Sequence, residues 1–278
     1  MPSADRLDHA VIFVKYGMDA AEALFAGLGF TLTPRGYHSH GSHNHLMMFG
    51  TDYLELLGIP EGEEIERKDL MAAQVGINGL VFKTGDIDAI YARFQAAGFA
   101  GDPPRAFHRP LEVDGETKEA RFKTVTARAD AFPGGRVYFC EHGTPELVWR
   151  PEWQSHANGV VAIPKFVTVA EDAEGEAARF ATLLATNVQT DKAGARLAAL
   201  DGCRITCLTP DRYAARYGAL ASPMNGRPAI FGALVFATEN LKALDAHLNV
   251  DGITVERGDG RTVVRLDAFD AVLEFVAV

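Results

Sequence analysis

The sequence predicts an α+β protein built from four tandem βαβββ units that pair into two domains with cup-shaped sheets. The first observation is that a short apolar strand, one helix and several further short strands recur in the same order along the 278 residues. The second is that glycine closes the first two predicted helices, as it commonly does. The third is a polar, proline-containing stretch, Arg150 to His156, between the second and third units. We therefore expect an N-terminal domain at 1–152 and a C-terminal domain at 153–278.

The first unit opens with LDHAVIFV (Leu7 to Val14), an apolar run of strand length. A helix follows at Asp19 to Gly27, with Ala, Leu and Phe on one face, and Gly29 ends it. Three short strands complete the unit, at Phe30 to Thr33, His45 to Phe49 and Tyr53 to Ile59. An open sheet of this size has one face to bury. Pairing two such sheets therefore encloses a cavity, which is where a ligand site is expected.

The three later units repeat this order. In the second, a strand at Ile77 to Lys83 and a helix at Ile87 to Ala97 precede strands at Ala120 to Ala129 and Arg136 to Glu141, which the turn Pro133-Gly134-Gly135 separates. The third has a strand at Val160 to Val169, a helix at Glu174 to Ala185 and strands at Arg196 to Leu200 and Cys203 to Leu208. The fourth has a strand at Ile230 to Ala237, a helix at Asn240 to Leu248 and strands at Ile253 to Arg257, Thr262 to Leu266 and Ala271 to Val276.

Composition narrows the class of protein. With 27 basic against 37 acidic residues the net charge is −10, and an acidic surface repels nucleic acid and anionic membranes. We therefore expect a small-molecule substrate and neither kind of polyanionic partner. Three cysteines cannot form a disulfide framework, and Cys203 and Cys207 lack the neighbours of a zinc set, so all three fit buried, reduced thiols. The polar start (Met1 to Arg6) and the lack of a long apolar run predict a cytoplasmic protein.

The repeat, with LDHAVIFV opening it and YLELLGI closing the first unit, resembles the vicinal oxygen chelate superfamily and its bacterial glyoxalase-like domain proteins. His9, the run from Gly41 to Pro60 and the run from Val137 to Gly159 carry the resemblance. It covers the whole chain in repeat order and is specific over the first 159 residues. It implies paired domains of the glyoxalase, bleomycin-resistance and dioxygenase type. It does not imply one reaction, because the superfamily hosts many.

His9 and Glu55 are the first two predicted metal ligands. Each lies in an otherwise apolar strand, and a lone core histidine bonded to a carbonyl would be the ordinary interpretation of His9. Glu55 changes that interpretation, because a buried, unpaired carboxylate is costly and needs a cation, hydrogen bonds or a shifted pKa. The resemblance implies a ligand at both positions.

The second unit is expected to supply two more ligands by repeat symmetry. Alignment on LDHAVIF places Gly79 where His9 lies, which departs from the superfamily pattern. In the last strand Glu141 aligns best with Glu55 and is predicted as a metal ligand or a general base. His142 replaces it if the strand is bulged, and Glu146 is the third choice because Pro145 suggests that the strand has ended.

His45 is predicted as the ligand missing at Gly79, or as a general acid or base, because it begins a strand beside that of Glu55. The other histidines of its loop, His38, His40 and His43, are expected to be solvated or to trap metal nonspecifically. His108 and His156 are read as structural or solvated side chains near the mouth of the cup. Arg109 and Arg121 could hold an anionic substrate bidentately, with surface salt bridges as the ordinary alternative.

The C-terminal half lacks this constellation. Its opening strands contain no histidine, and its one comparable acid, Glu274, does not make a metal site alone. We therefore expect a degenerate duplicate that shapes the pocket, forms an interface or stabilises the chain. Since such cups often lie at subunit interfaces, a homodimer is a further expectation.

Three functions follow from these residues. The first is a glyoxalase-like lyase or isomerase of a small oxygenated molecule that uses Zn, Fe(II), Mn or Ni. The second is an Fe(II) extradiol-type dioxygenase, which needs two histidines and a carboxylate and would use His9, His45 and Glu55. The third is a protein that binds an aromatic or antibiotic-like molecule without converting it.

Overall fold

The computed structural model describes residues 6–62, 65, 67–113, 115–191 and 196–278. The expectation for Met1 to Arg6 therefore falls outside these residues except at Arg6. Within them no helix has both the length and the apolar character needed to cross a bilayer. Cys140, Cys203 and Cys207 are free and buried, as predicted.

The described residues form sixteen strands and six α-helices, and the element order is four times βαβββ with an extra helix inside each half. The first half consists of β1 (Arg6–Lys15), α1 (Met18–Gly27), β2 (Gly36–Tyr37), β3 (His43–Met48), β4 (Tyr53–Gly58), α2 (Lys68–Ala72), β5 (Gly76–Thr84), α3 (Ile87–Ala97), β6 (Arg105–Val113), β7 (Glu116–Thr126) and β8 (Arg136–His142). The second half consists of β9 (Val160–Ala170), α4 (Ala173–Leu183), β10 (Val188–Thr190), β11 (Arg196–Ala199), β12 (Arg204–Leu208), α5 (Pro210–Tyr217), β13 (Ala229–Thr238), α6 (Leu241–Asp245), β14 (Ile253–Gly258), β15 (Arg261–Leu266) and β16 (Ala271–Ala277).

Each half forms one eight-stranded sheet. The first has the order β2-β3-β4-β1-β5-β8-β7-β6 and the second the order β10-β11-β12-β9-β13-β16-β15-β14, so the two halves share one topology. The opening strands of two units, β1 and β5 or β9 and β13, pair antiparallel at the centre. Each opening strand pairs in parallel with the last strand of its own unit. This arrangement confirms the predicted fold class.

Several predicted elements need correction. The stretch Phe30 to Thr33 is not a strand, because its backbone turns toward the connection between the halves and Thr31 N donates to His156 Nδ1 at 3.0 Å. The short β2 takes its place in the sheet. The sequence patterns did not predict β6 and β10, whose side chains are mostly exposed, or the helices α2 and α5.

The two halves pack back to back through their helices. One apolar cluster contains Phe25 of α1, Phe94 of α3, Phe180 of α4 and Leu244 of α6, together with residues from both sheets. The opposite face of each sheet carries a cluster of its own, around Val11 in the first half and Val167 in the second. Each concave face is therefore separate from the shared core.

Candidate functional site

Strand register identifies four equivalent positions, one on each of the central strands and one on each parallel neighbour. In the first sheet Val11, two residues after His9, pairs with Glu55. Val81, two residues after Gly79, pairs with Tyr138. Because Gly79 aligns with His9, Tyr138 is the counterpart of Glu55. The first cup thus presents His9, Glu55, Gly79 and Tyr138 at these positions. The same register in the second sheet gives Lys165, Thr206, Ala233 and Glu274.

His9 is held by the residue before it. The β1–β5 register shifts between Leu7 and His9, which makes Asp8 an extra, bulged residue. A bulge re-aims side chains, and here Asp8 contacts the ring of His9 instead of pointing away from it. Asp8 Oδ1 lies 2.6 Å from His9 Nδ1 and the Asp8 side chain is fully buried. In the neutral ring this bond places the proton on Nδ1 and leaves the lone pair of Nε2 facing the cavity.

Glu55 lies beside the free edge of that ring. His9 Nε2 is 3.6 Å from Glu55 Oε2 and 3.3 Å from the hydroxyl of Tyr138. The other carboxylate oxygen, Oε1, accepts a hydrogen bond from Asn44 Nδ2 at 2.7 Å. The His9 ring also stacks on Tyr53 with 4.4 Å between ring centroids. All five side chains line one cavity of about 780 Å³ in the concave face of the first sheet.

A second group of donors adjoins the first on the side of β8. The Nε2 atom of His142 is 3.0 Å from Asp8 Oδ2, and the donors of Asp8, Cys140 and His142 all lie within 4.8 Å of one another. Burial alone would raise the pKa of Asp8, but His142 and His9 outweigh it and hold the pKa well below its usual range. Burial raises the pKa of the Cys140 thiol, which disfavours the thiolate that a metal requires. Lys83 Nζ, 3.8 Å from Asp8, already supplies a cation there.

Two buried or half-buried arginine side chains, Arg109 and Arg136, also line the cavity. Arg109 is buried, at 3% exposed, and Arg136 donates from Nε to Asn78 Oδ1 at 2.8 Å. Burial lowers the pKa of both guanidinium groups, which nevertheless stay charged. Arg121, by contrast, is exposed. Arg136 begins β8 and gave no signal in the sequence, because a basic residue after a glycine turn is ordinarily solvated.

The structure does not bring His45 or Glu141 to this site. His45 alternates with Asn44 along β3 and points to the helix side, where its Nδ1 is 2.8 Å from Thr33 O and its Nε2 is 3.1 Å from Glu22 Oε2. Glu141 alternates with Cys140 along β8, and its Oε2 accepts from Ile87 N at 2.8 Å, at the start of α3. Both were assigned to the cup because sequence alignment alone does not fix which face of a strand is concave.

The other predicted candidates are buried or half-buried histidines and exposed side chains. His38 and His40 line the cavity and His40 and His43 are buried, which corrects the expectation of a solvated loop. Burial lowers the pKa of His38 well below its usual range, so its ring is neutral at pH 7. His156 is buried between the halves, 2.9 Å from Met48 O, and His108 is exposed. Glu146 is exposed in a short 3-10 helix.

The second cup is filled by its own extra helix. Tyr213 and Tyr217 of α5 belong to the apolar cluster on the concave face of the second sheet. Glu274, the counterpart of Tyr138, accepts from Tyr217 Oη at 2.7 Å and from Arg216 Nη2 at 2.5 Å. Arg261 Nη1 lies 3.5 Å from Glu274 Oε2. The carboxylate is thus neutralised within the fold, which gives a physical reason for the predicted degeneracy of this half.

Several solved structures share this architecture and align with nearly the whole chain. A hypothetical protein from Staphylococcus aureus aligns with a TM-score of 0.65 at 12% identity, over 98% of this chain and 99% of that one. A mutant of 4-hydroxymandelate synthase from Streptomyces coelicolor gives 0.62 at 13% identity, over 100% and 93%. A xylose isomerase-like TIM barrel/4-hydroxyphenylpyruvate dioxygenase fusion protein gives 0.60 at 13% identity, over 99% of this chain and 49% of that one. At these identities the likeness concerns the fold.

Sequence comparison assigns the family. No curated protein matches the sequence. Residues 7–184 match the family model described as a glyoxalase-like domain. Because that match spans more than half of the chain and the fold agrees with it, the protein belongs to the glyoxalase-like domain family of the vicinal oxygen chelate superfamily.

Proposed function

We propose that this protein is a metal-dependent lyase or isomerase that acts on a small oxygenated molecule in the N-terminal cup. The observation that carries the proposal is the geometry of Asp8, His9 and Glu55. An imidazole with Nε2 facing a cavity, 3.6 Å from a buried carboxylate oxygen, provides two ligands for one ion. Ligand atoms lie about 2.0–2.2 Å from zinc, so two atoms at this separation can share it.

The residues around this pair fit a divalent metal. Asp8 accepts from the second ring nitrogen of His9, the hydrogen bond that commonly orients a metal-bound histidine. Asn44 holds the far oxygen of Glu55, which leaves the near oxygen directed at His9. Gly79 and Tyr138 replace the ligands expected from the second unit, so substrate and water would complete the coordination. A bound divalent ion would polarise a carbonyl or enolate oxygen of the substrate.

The protein groups beside the pair would handle the substrate. Burial raises the pKa of Tyr138 above its ordinary value, so its hydroxyl stays protonated at neutral pH and can donate to a substrate oxygen. Tyr53 provides an aromatic wall next to His9. The cavity volume of about 780 Å³ suits a small organic molecule. Since His45 lies outside the cup, the set of His9, His45 and Glu55 that a dioxygenase would need does not assemble.

Elemental analysis of the purified, untagged protein tests the metal. We expect about one divalent transition metal per chain, and loss of that metal in Glu55→Gln. Asp8→Asn should keep the site but weaken its affinity for the metal about 10–100-fold. Glu141→Gln is the matched control, because its carboxylate lies on the other face of the sheet. Metal content that is equally low, or equally high, in the wild type and in Glu55→Gln would overturn the proposal.

A second function, binding without conversion, is favoured by one observation. Two of the four equivalent positions in the cup carry Gly79 and Tyr138 in place of ligands, so the metal site of the family is reduced by half. Solvent exchange separates the two functions. We incubate the metal-loaded protein with small 2-oxo and 2-hydroxy compounds in deuterated water and follow the C–H protons by NMR. Deuterium incorporation that Glu55→Gln abolishes supports the enzyme, whereas binding with all protons retained supports the binding protein.

A further inference from the structure

The cavity has the opposite charge balance to the chain that encloses it. The chain carries a net charge of −10. Among the described residues, the charged side chains that line the cavity are six basic ones, Arg67, Lys68, Arg105, Arg109, Arg128 and Arg136, and three acidic ones, Glu55, Asp69 and Asp102. A cleft of this sign concentrates anions from solution. A divalent ion at His9 and Glu55 would make it more positive.

Arg109 is the most deeply buried of these cations. It lies on β6 and is 3% exposed. Its Nε and Nη2 atoms are fully shielded from solvent and find no hydrogen-bond partner among the described residues. Burying a charged group without a partner is costly, whereas a bidentate carboxylate or phosphate satisfies the guanidinium fork. The guanidinium fork of Arg109 could therefore accept an oxyanion without breaking a hydrogen bond in the described part of the chain.

Arg136 is a second guanidinium with an unused donor. Its Nε donates to Asn78, but its Nη2 is shielded and has no partner in the described part of the chain. The group lies 5.7 Å from the centre of the Tyr138 ring, whose hydroxyl contacts His9 Nε2. Arg136 therefore adjoins the proposed reaction site.

Arg67 shows what a satisfied arginine looks like in the same cavity. Its Nε is 2.8 Å from Asp69 Oδ1 and its Nη2 is 2.5 Å from Asp69 Oδ2, so one carboxylate fills the fork. Asp69 thus shows the kind of group, a carboxylate, that fits an arginine fork in this cavity. The contrast within one cavity separates these two side chains from ordinary structural ion pairs.

We propose that Arg109 and Arg136 bind oxyanionic groups of the ligand, carboxylate or phosphate, in the cavity that His9 and Glu55 also line. That this ligand is a substrate rests on the proposed function, but the anion site itself does not require a metal. It assigns the ligand to the class of small organic acids or phosphate esters.

Calorimetric titration tests the anion site with four probes: inorganic phosphate, methyl phosphate, succinate and the neutral dimethyl succinate. We expect saturable binding of phosphates or succinate and none of the diester, with the preferred anion identifying carboxylate or phosphate chemistry. Arg109→Gln and Arg136→Gln should each weaken binding at least tenfold. Arg105→Gln, an exposed charge on the same wall, should change it less than threefold. Equal affinities in all four proteins, or no anion binding at millimolar concentrations, would overturn the proposal.

Two further variants keep the test independent of folding and of the metal. Arg109→Met should raise the thermal midpoint in anion-free buffer, because it removes an unpartnered buried charge, and should abolish the stabilisation that the bound anion gives the wild type. A lowered midpoint in anion-free buffer would instead assign Arg109 a structural role and contradict the proposal. In metal-free protein, Glu55→Gln should keep or strengthen anion binding, since it removes a nearby negative charge. Glu55→Gln thus reports on the metal and the arginine variants report on the anion, so failure of one proposal is distinguishable from failure of the other.

Discussion

At the scale of single residues, the useful signal in the sequence was the free-energy cost of buried charge. His9 and Glu55 stood out because each interrupts an apolar strand, and the structure places them 3.6 Å apart. Asp8 could not be found in this way, because a regular strand would point it to the opposite face and only the bulge turns it toward His9. Tyr138 was missed because alignment placed Glu141 opposite Glu55, three residues too far along β8. The metal role of these residues stays a prediction.

Gly79 explains at the same scale why the second unit lacks a ligand. A Cβ atom built on Gly79 would lie 2.6 Å from Cγ2 and 2.7 Å from Cβ of Val11, its partner across β1 and β5. A β-branched side chain in a packed strand has little room to move. We therefore expect Gly79→Ala to lower the free energy of unfolding by about 1–3 kcal/mol. Urea denaturation of the two proteins measures it.

Gly85→Ala is the matched control for this overpacking. A Cβ atom on Gly85 would meet no described heavy atom within 4 Å. Its substitution should change the free energy of unfolding by less than about 0.5 kcal/mol. Similar values for the two variants would show that Val11 does not close the ligand position of the second unit.

At the scale of elements, the sequence predicted the repeat order but not the elements with mostly exposed side chains. The βαβββ order and the helix at Ile87–Ala97 follow from apolar runs and glycine stops. In the structure Asp86 caps this helix, because its side chain accepts a hydrogen bond from Ala89 N. The strands β6 and β10 are mostly exposed and carry no apolar run, so periodicity did not mark them. The helix α5 was missed for a related reason. It has only eight residues, and of these Tyr213 and Tyr217 are the buried ones.

The role of α5 in closing the second cup gives a prediction. Tyr217 is 1% exposed and its hydroxyl donates to the buried Glu274 carboxylate at 2.7 Å. Hydrogen bonds to charged groups contribute about 1.5–3 kcal/mol, so Tyr217→Phe should lower the free energy of unfolding by that amount. The metal content of the N-terminal cup should not change, because the two concave faces are separate. Denaturation and elemental analysis of one preparation measure both quantities.

Tyr37→Phe provides the comparison, since Tyr37 is 60% exposed. It should leave the free energy of unfolding within about 0.5 kcal/mol of the wild type. If Tyr217→Phe is equally neutral, Arg216 and Arg261 satisfy Glu274 without the Tyr217 hydroxyl.

At the scale of the whole molecule, two halves of one topology form one open cup and one filled cup on a shared core. The aromatic cluster that joins the halves includes Phe30, which packs against Phe236 and Phe275 at 5.8 and 6.4 Å between ring centroids. The two sheets divide between β8 and β9, and the domain boundary at residue 152 stays a prediction. The extent of the shared core was not predictable, because a strand or helix pattern does not say which partner buries its apolar face.

Asp52 links the halves and makes their association depend on pH. Its Oδ1 atom accepts a hydrogen bond from Ile163 N at 3.0 Å, between the β3–β4 turn and β9. Burial raises the pKa of Asp52 to about 7. An unfolded aspartate loses its proton near about pH 3.9. Between these two values the folded protein binds more protons than the unfolded chain, so this carboxyl group makes the free energy of unfolding fall as the pH rises from about 4 to 7.

Asp52→Asn should remove that fall, because an amide keeps the acceptor for Ile163 and does not ionise. We expect the free energy of unfolding of the variant, relative to wild type, to increase by roughly 2–4 kcal/mol between pH 4 and pH 8. Urea denaturation across this range measures the difference, and Asp251→Asn, at an exposed turn, should show a constant offset. A constant offset in Asp52→Asn as well would mean that Asp52 is ionised throughout the range. The contact between the halves would then be a charged hydrogen bond, and alkaline pH would not weaken it.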